Sequence, residues 1–257
     1  MRQAITILLC FASTFVVLSA KVFAQDNYEI QVYGSETVDE GVTMVELHSN
    51  YTPRGQTFTD GVRPTEDAEH ETLEITHGFN PWFEVGFYVF TNIHSGYGWQ
   101  WVGDHIRPRV RVPDSWNWPV GVSLSAEVGY QRPEYSADTW TLELRPIIDK
   151  DFNAAYLSFN PTFGLSFKGE NQNKGFDFEP NLKVAFHVSK YFDIGAEYYG
   201  TTGPVFNPDS PEEQSHAIFA ALDLNISPEW EFNFGPGWGL TKSTDGLVIK
   251  MILGRRF

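Results

Sequence analysis

Apolar and polar residues alternate with a period of two from residue 42 to the end of the chain. This alternation is typical of strands that have one apolar face and one polar face, and helix-period patterns are absent from the same region. The pattern predicts twelve strands, at residues 42–51, 68–78, 82–93, 98–112, 119–131, 137–149, 153–167, 175–188, 190–200, 215–226, 229–240 and 246–257. The predicted fold class is therefore all-β and antiparallel.

The composition of the two faces indicates which side points outward. In the predicted strand 175–188, Leu182, Val184 and Phe186 alternate with Lys183 and Ala185. The apolar faces carry aromatic residues near strand ends, at Trp82, Tyr130, Trp140, Trp230 and Trp238. Aromatic belts of this kind mark the two interfaces of a membrane, and membrane strands alternate apolar-out with polar-in. The pattern thus predicts a transmembrane up-and-down β-barrel of about twelve strands with a polar lumen.

The connections between the predicted strands alternate in length. Long ones, such as residues 52–67 and 201–214, alternate with short ones, such as those at Pro81 and Ser189, although residues 94–97 and 113–119 blur the pattern. Outer-membrane barrels have short periplasmic turns and longer extracellular loops, whereas a soluble β-sandwich has no reason to sort its loops by length. We therefore expect residues 52–67 and 201–214 to be extracellular.

The amino end has the layout of a secretory signal peptide. Arg2 precedes the apolar run "AITILLCFASTFVVLSA", and "VFA" places small residues where cleavage after Ala24 requires them. The alternative is a single membrane anchor, for which the run is short. Cys10, the single cysteine, lies inside the run, so the exported chain is expected to have no disulfide and no thiolate chemistry. We assign residues 1–24 to the signal peptide and 42–257 to the barrel.

Residues 25–41 precede the first predicted strand. They are expected to form a periplasmic extension or a plug that enters the lumen, and the alternation of Tyr28, Ile30 and Val32 suggests a strand-like piece that needs a partner.

The charge of the chain excludes one class of partner. It has 18 Lys and Arg against 33 Asp and Glu, and loss of Arg2 and Lys21 with the signal peptide lowers the basic count to 16. Because binding to a polyanion requires a basic surface, nucleic acid is not an expected partner.

Charged residues dominate the positions that the alternation directs into the lumen. The predicted constriction consists of Glu74, Glu84, Arg107, Arg109, Arg111, Glu127, Glu143, Arg145, Glu179, Lys183 and Lys250. We expect Arg107, Arg109 and Arg111 to pair with Glu84, Glu127 and Glu143, because the neighbouring strands carry these acids. Two interpretations stay open: a selective charged constriction, or a structural salt-bridge network that fills a lumen of intermediate width.

Other motifs give weaker support for chemistry. His70 and Glu71 point to opposite faces of a strand, so no metal site is expected there, and no cofactor is expected. Asp104 and His105 lie near the outer end of the fourth strand, where a barrel enzyme could place an acid and a base. A nucleophile in reach is needed as well, and Ser95 and Ser243 are the rim candidates. We expect a solvated rim pair rather than a catalytic one.

The chain ends with "VIKMILGRRF", in which Phe257, Leu253 and Met251 share the predicted lipid face while Lys250 and Arg256 face inward. This stretch resembles the carboxy-terminal signal of bacterial outer-membrane proteins, which the barrel-assembly machinery recognises. Arg255 departs from that pattern, since the signal carries an apolar or aromatic residue there. An arginine at the periplasmic rim can extend its charge to water, so the departure is tolerable.

Stretches such as "HETLEITHGFNPWFEVGFYVFT", "GDHIRPRVRVP" and "SPEWEFNFGPGWGLTKSTDGLVIK" resemble a group of outer-membrane proteins assigned to the MetA pathway of phenol degradation. The resemblance implies a barrel and a transport role, without a catalytic motif to transfer.

Together these observations predict a porin-like channel in the Gram-negative outer membrane that passes small solutes, including aromatic or hydrophobic ones. Its expected partners are outer-membrane lipid and lipopolysaccharide, the assembly machinery and the solute. The alternatives are a barrel enzyme of lipid hydrolase or protease type with a rim site, and a closed structural barrel.

Overall fold

A computed structural model of the chain describes residues 27–57 and 61–257, so the predicted signal peptide lies outside the described residues. The described chain forms twelve strands and one short 3₁₀ helix at Asp114–Trp116. The strands are β1 (Thr43–Arg54), β2 (Ala68–Asn80), β3 (Phe83–His94), β4 (Gly98–Arg111), β5 (Gly121–Gln131), β6 (Asp138–Asp151), β7 (Ala155–Gly169), β8 (Asp177–Ser189), β9 (Phe192–Thr201), β10 (Ser215–Ser227), β11 (Trp230–Gly239) and β12 (Leu247–Arg256). The prediction of an all-β fold with twelve strands is confirmed.

The strands close into a single antiparallel barrel. Each strand pairs with its neighbours in the sequence, and β1 pairs with β12, so that Met44 lies opposite Arg256 and Tyr51 opposite Ile249. Closure removes the unpaired strand edges that would otherwise promote aggregation. No helix in the described part of the chain is long and apolar enough to cross a membrane.

The two ends of the barrel differ in their connections. Residues 55–67, 170–176 and 202–214 contribute longer connections to one end, which we call the loop end. The opposite end, which we call the turn end, has short turns at residues 81–82, 190–191 and 228–229, although the 3₁₀ helix lengthens its β4–β5 connection. The backbone of Phe257 bonds to Thr43 at the turn end, so the carboxy terminus lies there.

The barrel has its apolar side outside and its polar side inside. The outer surface exposes apolar side chains along the strands, including Leu73, Phe87, Ile106, Leu124, Ile148, Ile194 and Leu253. The interior holds buried Glu74, Glu84, Arg107 and Lys250. This is the reverse of a soluble barrel and the usual arrangement of a transmembrane one.

Residues 27–41 run through the interior from the loop end to the turn end, and we call them the luminal segment. Near the loop end, Asn27 bonds to Asp245 in the β11–β12 connection. Near the turn end, Glu40 forms a β-bridge with Gly78 of β2. Between these points the segment has no strand partner, so its backbone groups depend on side chains of the wall.

Candidate functional site

Polar side chains of the barrel wall bind the backbone of the luminal segment. The Tyr33 amide donates to Asn160 Oδ1 at 2.8 Å, and the Tyr33 carbonyl accepts a hydrogen bond from Ser158 Oγ at 2.6 Å. Two residues later, the Ser35 amide and hydroxyl both donate to the Asp149 carboxylate, at 2.9 and 2.7 Å. Because a buried backbone group left without a partner is costly, these inward Ser, Asn and Asp residues hold the segment in place.

The start of the segment is fixed to the loops. Asp245 accepts hydrogen bonds from Asn27 Nδ2 at 2.6 Å, from Thr65 Oγ1 at 2.6 Å and from the Gln56 amide at 3.0 Å. Burial raises the pKa of the Asp245 carboxyl above its usual value, and these three bonds act in the opposite direction. One carboxylate therefore joins the β1–β2 loop, the β11–β12 loop and the luminal segment.

Buried ion pairs surround the middle of the segment. Arg107 Nη2 lies 2.6 Å from Glu74 Oε1 and 3.5 Å from Glu84 Oε1, and Arg109 Nη2 lies 2.7 Å from Glu84 Oε1. The Tyr33 ring lies within cation–π distance of Arg107 at 4.7 Å and of Arg145 at 4.8 Å. The aromatic ring thus lies near guanidinium groups from both β4 and β6.

Apolar contacts complete the docking. Ile30 and Val32 are buried against a patch on β9, β10 and β12 that includes Phe219 and Val248. Tyr28 packs near Phe90 of β3, with ring centroids 5.5 Å apart. The segment is therefore held by a small hydrophobic core inside a polar lumen.

The predicted arginine–glutamate pairs are partly wrong. Arg109 does pair with Glu84, but Arg111 binds Asp114 in the β4–β5 connection. Arg107 leans away from β5, across Gly86 of β3, to reach Glu74 on β2. Gly86 lies beside this path, and a Cβ there would be in ordinary contact with Arg107 Nε at 3.4 Å.

Glu127 and Glu143 have other partners than the expected ones. Glu127 lies 2.6 Å from His105 Nδ1, and Glu143 lies 2.8 Å from Arg145 Nη2. His105 reaches Glu127 because its ring lies over Gly129. A Cβ atom on residue 129 would lie only 1.9 Å from His105 Cδ2, so a larger residue there would block the ring. The expectation of a solvated rim pair is therefore wrong for His105, which is buried inside the wall.

One of the two rim serine candidates, Ser243, has a structural partner. The Ser243 hydroxyl donates to the Gln214 carbonyl at 2.6 Å and is buried among the loops. This serine therefore stabilises the packing of the loops.

Some of the predicted constriction residues, on β6 and β8, are less buried than those around the luminal segment. Lys183 Nζ lies 3.3 Å from Glu197 Oε1 and 2.9 Å from Asp223 Oδ2, and the Asp223 side chain is 20% exposed. Glu143 on β6 and Glu179 on β8 are half-buried, whereas Lys250 is fully buried and pairs with Glu197. Most of the predicted constriction residues therefore form a buried set around the luminal segment, and Glu143, Glu179 and Lys183 are less buried.

The interior contains a cavity toward each end of the barrel. The one at the turn end has a volume of about 1170 Å³ and is lined by Lys183, Asp223 and Arg109 among others. The one at the loop end, of about 260 Å³, is lined by Glu143, Glu179 and Asn181 among others. Gln31 of the luminal segment lines both cavities, so the two adjoin at this residue.

The terminal residues of β12 have the exposure that alternation predicts. Leu253 is 39% and Phe257 66% exposed on the outer surface, and Met251 on the same face is half-buried. The Arg255 guanidinium lies 5.1 Å from the Trp230 ring and 4.8 Å from the Phe257 ring. Their proposed role in assembly stays a prediction.

Sequence reasoning missed the residues that matter most in the lumen. The alternation of Tyr28, Ile30 and Val32 left two alternatives for residues 25–41, an extension or a plug, and it did not show which wall residues Gln31 and Tyr33 would contact. An available signal was the set of inward apolar positions, such as Phe219 and Val248, which a water-filled lumen would not require.

No family model and no curated protein matches the chain, so the resemblance to the MetA group stays a prediction. Solved structures with a similar fold include the COG4313 outer membrane channel from Pseudomonas putida F1, with a TM-score of 0.58 and 11% identity over 89% of this chain and 100% of that one. The KdgM porin has a TM-score of 0.53 and 11% identity over 83% and 99%. The NanC porin has a TM-score of 0.53 and 9% identity over 82% and 97%. At such low identity these likenesses show a shared barrel fold.

Proposed function

We propose that this protein is a channel of the Gram-negative outer membrane through which small solutes pass by way of the two luminal cavities. The apolar outer surface supports the membrane location, because a surface of this extent is unstable in water and stable in lipid. In this orientation the turn end faces the periplasm and the loop end faces the exterior.

The observation that carries the proposal is the pair of cavities that meet at Gln31. Each cavity includes residues from one end of the barrel: Trp118 and Pro228 at the turn end, and Arg63 and Tyr135 at the loop end. In this proposal the Gln31 side chain is the partition that a solute entering from outside must pass to reach the second cavity.

The walls on either side of the partition suit small polar solutes. Lys183 and Asp223 lie on the periplasmic side, and Glu143 and Asn181 lie on the outer side. Because the walls carry charges of both signs, they favour solutes that have both hydrogen-bond donors and acceptors over ions of one charge. Channels and porins among the similar structures support the same class of function, and passage of aromatic compounds rests on the MetA resemblance alone.

Planar-bilayer recordings test the proposal. The full chain should conduct weakly, Gln31→Gly should conduct more, and Gln31→Trp should conduct less, because residue 31 forms the partition. Thr37→Trp is the matched control, since Thr37 lines the wide turn-end cavity and a large side chain there leaves the partition unchanged.

Two results would reject the channel. If neither the full chain nor Gln31→Gly conducts, the barrel is closed and structural. If Gln31→Trp and Thr37→Trp conduct equally, the current does not pass the partition.

A further inference from the structure

Glu46, His48 and Glu74 come together on the inner face of β1 and β2. Glu46 and His48 are two residues apart on β1, so they point to the same side of the sheet. Glu74 of β2 lies directly opposite Glu46 in the register. Among the described residues, these three form a group whose potential ligand atoms all lie within 4.8 Å of one another.

The contacts of this group leave ligand atoms without partners. Arg107 and Thr76 bind only one oxygen of Glu74, at 2.6 and 2.7 Å. Its other oxygen, Oε2, is buried without a hydrogen-bond partner and lies 3.5 Å from His48 Nε2. Both ring nitrogens of His48 are buried without a hydrogen-bond partner, and the side chain is fully inaccessible.

This arrangement is costly without a further ligand. Two carboxylates directly opposite each other on neighbouring strands repel, and burial strengthens the repulsion. Buried polar atoms normally have a partner, and each exception needs an explanation. A cation between Glu46, His48 and Glu74 would remove the repulsion and give a partner to Glu74 Oε2 and to one ring nitrogen of His48.

We propose that Glu46, His48 and Glu74 bind a divalent transition-metal ion, with Zn²⁺ as the best match. One imidazole and two carboxylates form a donor set that Zn²⁺ uses, and the fourth position of a tetrahedral site is then available to water. Ligand atoms of such a site lie about 3.4 Å apart, given metal–ligand bonds of about 2.1 Å. The distance of 3.5 Å between His48 Nε2 and Glu74 Oε2 matches this spacing.

The ion also has a route to the site. Glu46 and Glu74 line the turn-end cavity, together with Met44, so an ion can arrive from the periplasmic side. Arg107 keeps its bond to the far oxygen of Glu74, which orients the carboxylate as the outer partner of a metal ligand does. The site does not depend on the channel proposal, since it requires access from one end only.

Metal binding to the purified full chain tests this proposal. After treatment with EDTA, Zn²⁺ should bind at a stoichiometry of one by calorimetry and should raise the unfolding temperature. Co²⁺ should give the visible absorption bands of a tetrahedral site. His48→Gln and Glu46→Gln should each weaken binding by more than the roughly 10–100-fold typical of losing an outer partner.

His70→Gln is the matched control, because His70 is also buried and inward-facing on the adjoining strand. It should bind Zn²⁺ as the unmodified chain does. Glu46→Gln removes a like-charge repulsion and so provides a folded variant even if His48→Gln fails to fold. Absence of saturable Zn²⁺ and Co²⁺ binding by the unmodified chain would overturn the proposal, as would binding that both ligand variants retain. The group would then be held by a proton shared between His48 and the carboxylates.

Discussion

The strongest test of the luminal segment is the replacement of Arg109 by glutamine. Arg109 Nη2 donates to the Glu36 carbonyl at 2.7 Å and lies 2.7 Å from Glu84, and its Nη1 donates to the Gly34 carbonyl at 3.2 Å. One side chain therefore links the wall to two backbone groups of the segment. The structure therefore indicates that this change releases the segment.

The magnitude follows from the charge that the change leaves behind. Removing one partner of a buried ion pair costs about 3–5 kcal/mol, because the other charge stays buried without compensation. Glu84 keeps a bond from the Val38 amide at 2.6 Å and keeps Arg107 at 3.5 Å, so the lower limit applies. About 3 kcal/mol corresponds to a roughly 100-fold larger population of barrels in which the segment has detached.

Cysteine labelling measures this population. The single cysteine, Cys10, lies in the predicted signal peptide, so Val32→Cys would provide a unique thiol at a buried position. A maleimide should label it slowly in the parent and roughly 100-fold faster with Arg109→Gln, since the rate reports local opening. Adding Glu84→Gln should restore much of the protection by removing the unpaired charge. Equal labelling rates with and without Arg109, or no recovery in the double variant, would refute the reasoning.

Further predictions concern topology, assembly and selectivity. Tags within residues 55–67 or 202–214 should be labelled on intact cells, and a tag at 190–191 should not. The reverse result would show that the barrel has the opposite orientation in the membrane. Deleting Phe257 should reduce heat-modifiable folded protein, and normal levels would show that the terminal aromatic is dispensable. Lys183→Gln should shift the current of the open channel toward cations, because Glu197 and Asp223 lose a positive partner. Unchanged reversal potentials would place the conducting path elsewhere.

The sequence by itself determined the barrel because the alternation within each strand defines one apolar face and one polar face. Apolar residues at every second position indicate which side of the strand contacts lipid, and this pattern can be identified in each strand separately. The positions of Ile249, Lys250 and Leu253 on β12 could therefore be predicted from alternation alone. Strand bounds agree with the prediction to within three residues for the same reason.

Only the tertiary structure decided what the interior contains. The partner of Arg107 is Glu74, which lies two strands away on β2, and the partner of Glu127 depends on Gly129, which leaves space for His105. Such choices depend on neighbours across the sheet, so no single strand encodes them. The same holds for the luminal segment, since its partners are distributed from Asn50 to Lys250. The short alternation of Tyr28, Ile30 and Val32 indicates an extended piece, but such a piece acquires its position only when a closed wall supplies bonds to its backbone.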